Sequence, residues 1–234
     1  SFLMSLAMQL TEANSSVIDA EAEFTSALGH AGGVIDDVSE EAWYIYDIAN
    51  GFNSPWSWMR SADYGVTQEM VSSMKGAGVN KATTNTIYDD RLGYIMGDTS
   101  QAGLPYGYLN YDSNQADVNQ NFIASETSLP VMQAGYVFLQ RAEAAARGWA
   151  TGDDVDAMLT AGILASWESF EALYGPGSGL PIPAGNADIY AAGRVADIAT
   201  APGGALQVIG EEKWVALFPL GYDAWAEWRR SGYP

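Results

Sequence analysis

Residues 211–234, EEKWVALFPLGYDAWAEWRRSGYP, say more about the fold than any other stretch of this 234-residue chain. Trp214, Phe218, Tyr222, Trp225, Trp228 and Tyr233 crowd into it. Pro219 divides it, because proline lacks an N–H and its ring clashes with the preceding helical turn. The reading is one helix ending near Phe218 and a second running from Tyr222 to Arg230. Glu227 stands three residues before Arg230, which places both charges on one helical face. Arg229 or Arg230 is positioned to lie flat on an indole ring, a contact that suits guanidinium better than ammonium. These features predict a terminal helix pair locked by aromatic rings, with Trp149 placed beside them.

Upstream, Val131, Gly135, Phe138, Ala142, Ala145 and Trp149 recur at three- and four-residue steps, and Val155, Leu159, Ile163, Ser166, Phe170 and Leu173 do the same. The turn Thr151-Gly152-Asp153 joins the two runs, so the helices are antiparallel. Small residues Ala142, Ala145 and Gly162 allow close backbone approach. The unit is a helix hairpin of tetratricopeptide type. Residues 175–185 (GPGSGLPIPAG) form a surface loop, after which Asn186 is expected to cap a helix reaching Ala199. Toward the N-terminus, Phe2, Leu6 and Leu10 mark an opening helix, and a second one spans Val17 to Leu28, stopped by Gly29, Gly32 and Gly33. Ala42 to Ile48 reads as a strand. Thr67 is the N-cap of a helix reaching Lys75. Residues 104–119 carry no helical period, and a loop of that length tends to be functional or mobile.

The composition, 48% hydrophobic and 17% charged, is that of a globular chain. No run approaches the roughly 20 apolar residues of a membrane-spanning helix. Twenty-nine acids against ten bases give a net charge of −19, which disfavours nucleic acid and anionic membrane surfaces alike. The absence of cysteine removes disulfides, thiolate metal sites and cysteine nucleophiles together. His30 is the only histidine, and it sits in GHAGG, where capping a helix end suits it better than catalysis; no G-x-S-x-G elbow accompanies it. The acidic pairs Asp36/Asp37, Asp89/Asp90, Asp153/Asp154 and Glu211/Glu212 read mostly as helix N-terminal charges. Asp112 to Asp117 imitates the start of a calcium loop but lacks its glycine and distal glutamate. There is no phosphate loop, dinucleotide fingerprint or H-E-x-x-H. The expectation is a protein without metal, cofactor or catalytic residues.

What remains is aromatic. Trp56, Trp58, Tyr64, Tyr106, Tyr108 and Tyr111 fall in predicted loops. Rings displayed there suit sugar faces or peptide side chains, offering apolar area at little entropic cost. The competing reading has them pack the loops onto the helical body.

The terminal string resembles the C-terminal signature of the SusD/RagB-like nutrient-binding outer-membrane lipoproteins of Bacteroidetes. Lys213, Trp214, Ala216, Leu217, Phe218, Gly221, Tyr222, Ala224 to Arg230 and Gly232 to Pro234 stand at matching places. The word AEAAARGW (Ala142 to Trp149) belongs to the same pattern. Asp89-Asp90-Arg91-Leu92 is similar to the family's DPRL box, with Asp90 where proline is usual. Leu6 to Leu10 and Ala20 to Ile35 also correspond, with Gln9 in place of the family's arginine. The resemblance implies a mainly α fold, with tetratricopeptide-type hairpins, long irregular loops and little strand. It implies that 1–234 is the C-terminal part of a single SusD-like domain, with 1–130 holding helices and a loop-rich ligand side, 131–174 the hairpin and 186–234 the C-terminal helices. It further implies a cell-surface lipoprotein of the outer membrane, anchored through an N-terminal lipid whose cysteine is not in this sequence. Such proteins cover a SusC-like TonB-dependent transporter and capture an oligosaccharide or oligopeptide ligand. Trp214, Trp225 and Trp228 are then structural. The rival readings are a tetratricopeptide-type scaffold for protein partners and a glycoside hydrolase with two carboxylates facing across a cleft.

Overall fold

The computed structural model describes residues 1–12, 16–59, 64–107, 117–175 and 184–234. Among them the helices are α1 (Phe2–Gln9), α2 (Ala20–Leu28), α3 (Gln68–Met74), α4 (Leu92–Ile95), α5 (Ala134–Ala146), α6 (Val155–Tyr174), α7 (Ala184–Asp197), α8 (Gly204–Ala216) and α9 (Gly221–Ser231). Two short strands, β1 (Ala42–Tyr44) and β2 (Leu129–Met132), make the one small sheet found there. The protein is therefore mainly α, as its periodicities predict. The chain folds into two units: Ser1–Ala42, Pro130–Ser166 and Ala191–Pro234 form the first, and Trp43–Leu129 with Trp167–Tyr190 the second.

In the first unit α8 packs along α5, α9 packs on α8, and α1 pairs with α2 while touching α5 and α9. Helix α5 begins at Ala134, later than the period suggested, because Val131 belongs to β2 and is exposed. Glu41 caps its start, Oε1 accepting the Ala134 N–H at 2.9 Å. Ala134, Val137, Leu139, Ala142 and Ala144 are all buried, so this helix is covered on nearly every side. On α6, Leu159, Ile163 and Ser166 are buried as their spacing requires.

The close approach of α5 and α6 rests on glycines. A Cβ at Gly135 would lie 2.8 Å from the Ser166 backbone nitrogen, and one at Gly162 would lie 2.7 Å from the Leu139 side chain. Gly135→Ala must push two backbones apart and is expected to cost about 1–3 kcal/mol. Gly162→Ala meets mainly the Leu139 side chain, with the Gly135 carbonyl oxygen farther off at 3.2 Å, and is expected to cost less. Urea midpoints at unchanged slope measure both; equal costs would show that the backbone contact is not limiting.

Helix α1 turns a different face inward from the one its large residues suggest. Met4, Ala7 and Met8 are buried with Phe24, Val137 and Ala144, whereas Phe2, Leu3 and Leu6 are exposed. Trp149 packs on Phe24 with ring centroids 5.4 Å apart, so it joins this cluster and not the terminal helices. Helix α2 starts at Ala20, three residues later than expected, because Asp19 takes the N-cap and accepts the Ala22 N–H at 3.0 Å.

The terminal pair breaks at Pro219, whose peptide bond with Phe218 is cis. Arg229 lies over Trp225 at 4.8 Å. Of the rings expected to lock the pair, Tyr233 does pack on Gly203 and on Gly210 of α8, but Trp225 and Trp228 are about half exposed and Tyr222 more so, while Glu227 and Lys213 are buried. Charge fills the space that rings were expected to fill.

In the second unit Thr67 caps α3, its Oγ1 accepting the Met70 N–H. The predicted strand from Ala42 shortens to Ala42–Tyr44 because Asp47 turns the chain, accepting the Asn50 N–H at 3.2 Å ahead of Gly51 at φ +81°. Helix α7 begins at Ala184, so Asn186 is not its cap; its amide donates to Asp90 at 2.6 Å.

Candidate functional site

The loop aromatics belong to the second unit, and short bridges fix the base from which they project. Gly65 pairs with Asp117, Thr67 with Leu104, and Met96 with Val118. Gln68 donates its N–H to Leu104 at 2.9 Å, and Leu104 returns one to Val66 at 2.8 Å. This crossing needs Gly103, where a Cβ would stand 2.4 Å from the Gln68 Cα. Tyr64 and Tyr106 flank these bridges, and both are exposed, Tyr106 at 92%. Tyr108 and Tyr111 lie outside the described residues.

Trp56 and Trp58 share a 3₁₀ turn, Pro55–Trp58, begun by Pro55 in its favoured first-turn position. Ser54 donates its N–H to the Ser125 carbonyl at 2.8 Å, and the Ser57 hydroxyl donates to the Ser54 carbonyl at 2.6 Å. The turn sends its two indoles to different surroundings. Trp56 is half-buried against Phe122 at 5.3 Å, and Phe122 stacks edge-on to Tyr174 at 5.7 Å. Trp58 is 82% exposed. Trp58, Tyr64 and Tyr106 thus offer free ring faces, and Trp56 braces the turn.

Sequence reading missed a neighbouring run. Tyr44, Ile45, Ile48 and Phe52 are exposed, and Tyr44 meets Tyr46 edge-to-face at 4.9 Å. The Asp47-to-Gly51 turn was the available signal, since it ends the strand and leaves these residues without a sheet face to pack on.

The charged residues have other work. Asp89 and Arg91 form a fully buried pair, with Arg91 Nη2 donating at 2.7 Å and its guanidinium 5.3 Å from both the Trp167 and Tyr190 rings. Glu211 and Glu212 lie inside α8, not at its start; both bind the buried Arg194, at 2.6 and 2.7 Å. Asp153 pairs with Arg141 at 2.6 Å, and Asp154 accepts the Ala157 N–H in the first turn of α6. His30 is exposed, and its Nδ1 accepts the Gly32 N–H instead of capping a carbonyl. Among the described residues no group of three or more acidic or histidine side chains is spaced to hold a metal ion. No helix among them is long and apolar enough to cross a membrane.

The chain belongs to the SusD-like_2 family, described as starch-binding and associating with the outer membrane, which it matches over residues 1–234. Its fold is similar to a chitin-binding protein (TM-score 0.78, 19% identity, 100% of this chain and 51% of that one). It is also similar to a SusD homologue from Bacteroides fragilis (TM-score 0.75, 18% identity, 100% and 54%). A third likeness is to a chitin-binding SusD homologue from Flavobacterium johnsoniae (TM-score 0.66, 20% identity, 99% and 50%). The chain thus spans about half the length of these structures. No curated protein sequence matches it.

Proposed function

We propose that this protein binds oligosaccharide at the outer-membrane surface and hands it to a SusC-like TonB-dependent transporter, without breaking a bond. The observation that carries this reading is the exposure of the Trp58, Tyr64 and Tyr106 rings, with Tyr64 and Tyr106 beside the bridges of residues 65 and 67 to 117 and 104. Sugar rings present C–H faces that stack on such platforms, and a pre-ordered platform loses little entropy on binding. Family membership supports the carbohydrate class and the outer-membrane setting; attachment through an N-terminal lipid is part of the proposal. Two structural neighbours are named as chitin-binding, which makes N-acetylglucosamine oligomers the first ligands to try.

The test is a titration of intrinsic tryptophan fluorescence with chitooligosaccharides, maltooligosaccharides and oligopeptides. One carbohydrate class is expected to saturate the signal. Trp58→Ala is expected to weaken that binding by about tenfold or more, with folding unchanged because the ring is exposed. Unaltered affinity in Trp58→Ala would remove this residue from the site. A response to peptides alone would replace the ligand class, and silence across all three panels would favour a scaffold whose ligand is the transporter itself.

A further inference from the structure

A cavity of about 200 Å³ opens within the first unit, lined by residues of α1, β2, α5 and α9. Phe2, Leu6, Met132 and Leu220 give it apolar walls. Its polar groups are nearly all acceptors or already committed. Gln9 Nε2 and the Tyr136 hydroxyl, both on the lining, donate to Glu227 Oε1 at 2.6 and 2.8 Å. Gln133, only 3% exposed, keeps its Oε1 without a hydrogen-bond partner. Asp223, also on the lining, makes no ion pair among the described residues. The Asp223 side chain reaches solvent, and its partial desolvation together with the neighbouring Glu227 pushes its carboxyl up. No lysine or arginine lines the cavity.

We propose that this cavity binds a small primary amine carrying a ring-sized apolar body, with the ammonium donating to Asp223 and Gln133. An ammonium supplies three donors and no acceptor, the complement of this lining. A dry apolar cavity of about 150 Å³ already accommodates benzene, so the space suffices for a phenyl ring on a short stem. A carboxylate or phosphate ligand would face Asp223 with like charge and find no cation to pair with. This inference concerns residues of the first unit, whereas the residues of the proposed oligosaccharide surface belong to the second.

Calorimetric titration of the protein with phenethylamine tests it, beside 3-phenylpropionate as the analogue of opposite charge. Saturable one-to-one binding of the amine is expected. Asp223→Asn should weaken it by at least about tenfold, and Leu6→Trp, which fills the mouth, should abolish it. Both positions are exposed at the surface, and circular dichroism verifies that the variants fold. Absence of saturation, equal affinity in Asp223→Asn, or equal binding of phenylpropionate would each overturn the proposal. Sedimentation showing a dimer that Leu6→Trp dissociates would make a second copy the occupant and overturn it as well.

Discussion

Glu227→Leu is expected to cost the first unit about 3–5 kcal/mol, the range for removing one partner from a buried ion network. Glu227 Oε2 accepts from Lys213 at 3.1 Å and from Arg230 at 2.5 Å, while Oε1 accepts from Gln9 and Tyr136. Across the cluster, Glu143 takes a two-pronged contact from Arg230, at 2.6 and 2.7 Å, and binds Lys213 as well. Two buried carboxylates and two buried cations thus meet in a space closed by α1, α5, α8 and α9, and Arg147 reaches Glu143 from its edge at 2.8 Å. Removing one carboxylate strands a buried positive charge and leaves a phenol and an amide without their acceptor. The double variant Lys213→Met/Glu227→Leu restores balance and is expected to recover a large part of the loss, which urea denaturation in a double-mutant cycle measures. A single-variant cost below about 1 kcal/mol would put the cluster in the class of solvated surface pairs.

The same cluster sets an acid limit. Burial alone would raise the Glu143 carboxyl, but the Lys213 ammonium and Arg230 guanidinium outweigh burial and hold it well below the usual carboxylate range. Glu227 shifts the same way, with burial opposed by the same two cations. A carboxyl whose folded pKa is depressed contributes stability that is present above its unfolded pKa and is lost as pH falls toward the folded one. The contribution is therefore complete above about pH 4.5 and declines below it. Glu227→Leu should flatten the acid limb of a stability-against-pH curve; an unchanged limb would place the acid-labile groups elsewhere.

Arg91→Met is expected to destabilise the second unit by about 3–5 kcal/mol, again because a buried carboxylate loses its cation. Asp89 and Arg91 are both fully buried, and the carboxylate accepts from the guanidinium Nε and Nη2 as well as from the Arg91 N–H. Trp167 and Tyr190 lie against the guanidinium, so the flat cation fills an aromatic slot as it neutralises Asp89. Arg91→Lys is the informative companion. Lysine keeps the charge but has neither the fork nor the flat face, so it should restore well under half of the stability. Thermal unfolding followed by tryptophan emission measures both; full rescue by lysine would mean that charge alone matters and the slot does not.

These networks mark how far the sequence could be read. The break at Pro219, the Glu227–Arg230 face, the Arg229–Trp225 stack and the α5–α6 hairpin were all legible, because each follows from spacing within one or two neighbouring helices. The Thr67 cap was legible for the same reason. The inward face of α1 was not, since Phe2 and Leu6 outweigh Met4, Ala7 and Met8 in any count of hydrophobic bulk. The partners that choose the face, Phe24 and Val137, come from elsewhere in the chain. Likewise Glu211 and Glu212 read as terminal charges until Arg194 on α7 was seen to reach them.

The site divides along the same line. That aromatics would occupy turn-rich segments was written in the residues around Trp56, Trp58, Tyr64 and Tyr106. That Trp56 braces Phe122 while Trp58 faces solvent depended on which side of a single 3₁₀ turn met the body of the unit. Sequence by itself determined the helical class, the hairpin, the broken terminal pair and the family, because local periodicity and short words carry those. Only the tertiary structure decided that buried charge, and not the tryptophans of α9, joins the terminal helices to the rest of their unit. Glu143, Lys213, Glu227 and Arg230 meet there across as many as 87 residues of chain, and no local pattern encodes a contact of that range.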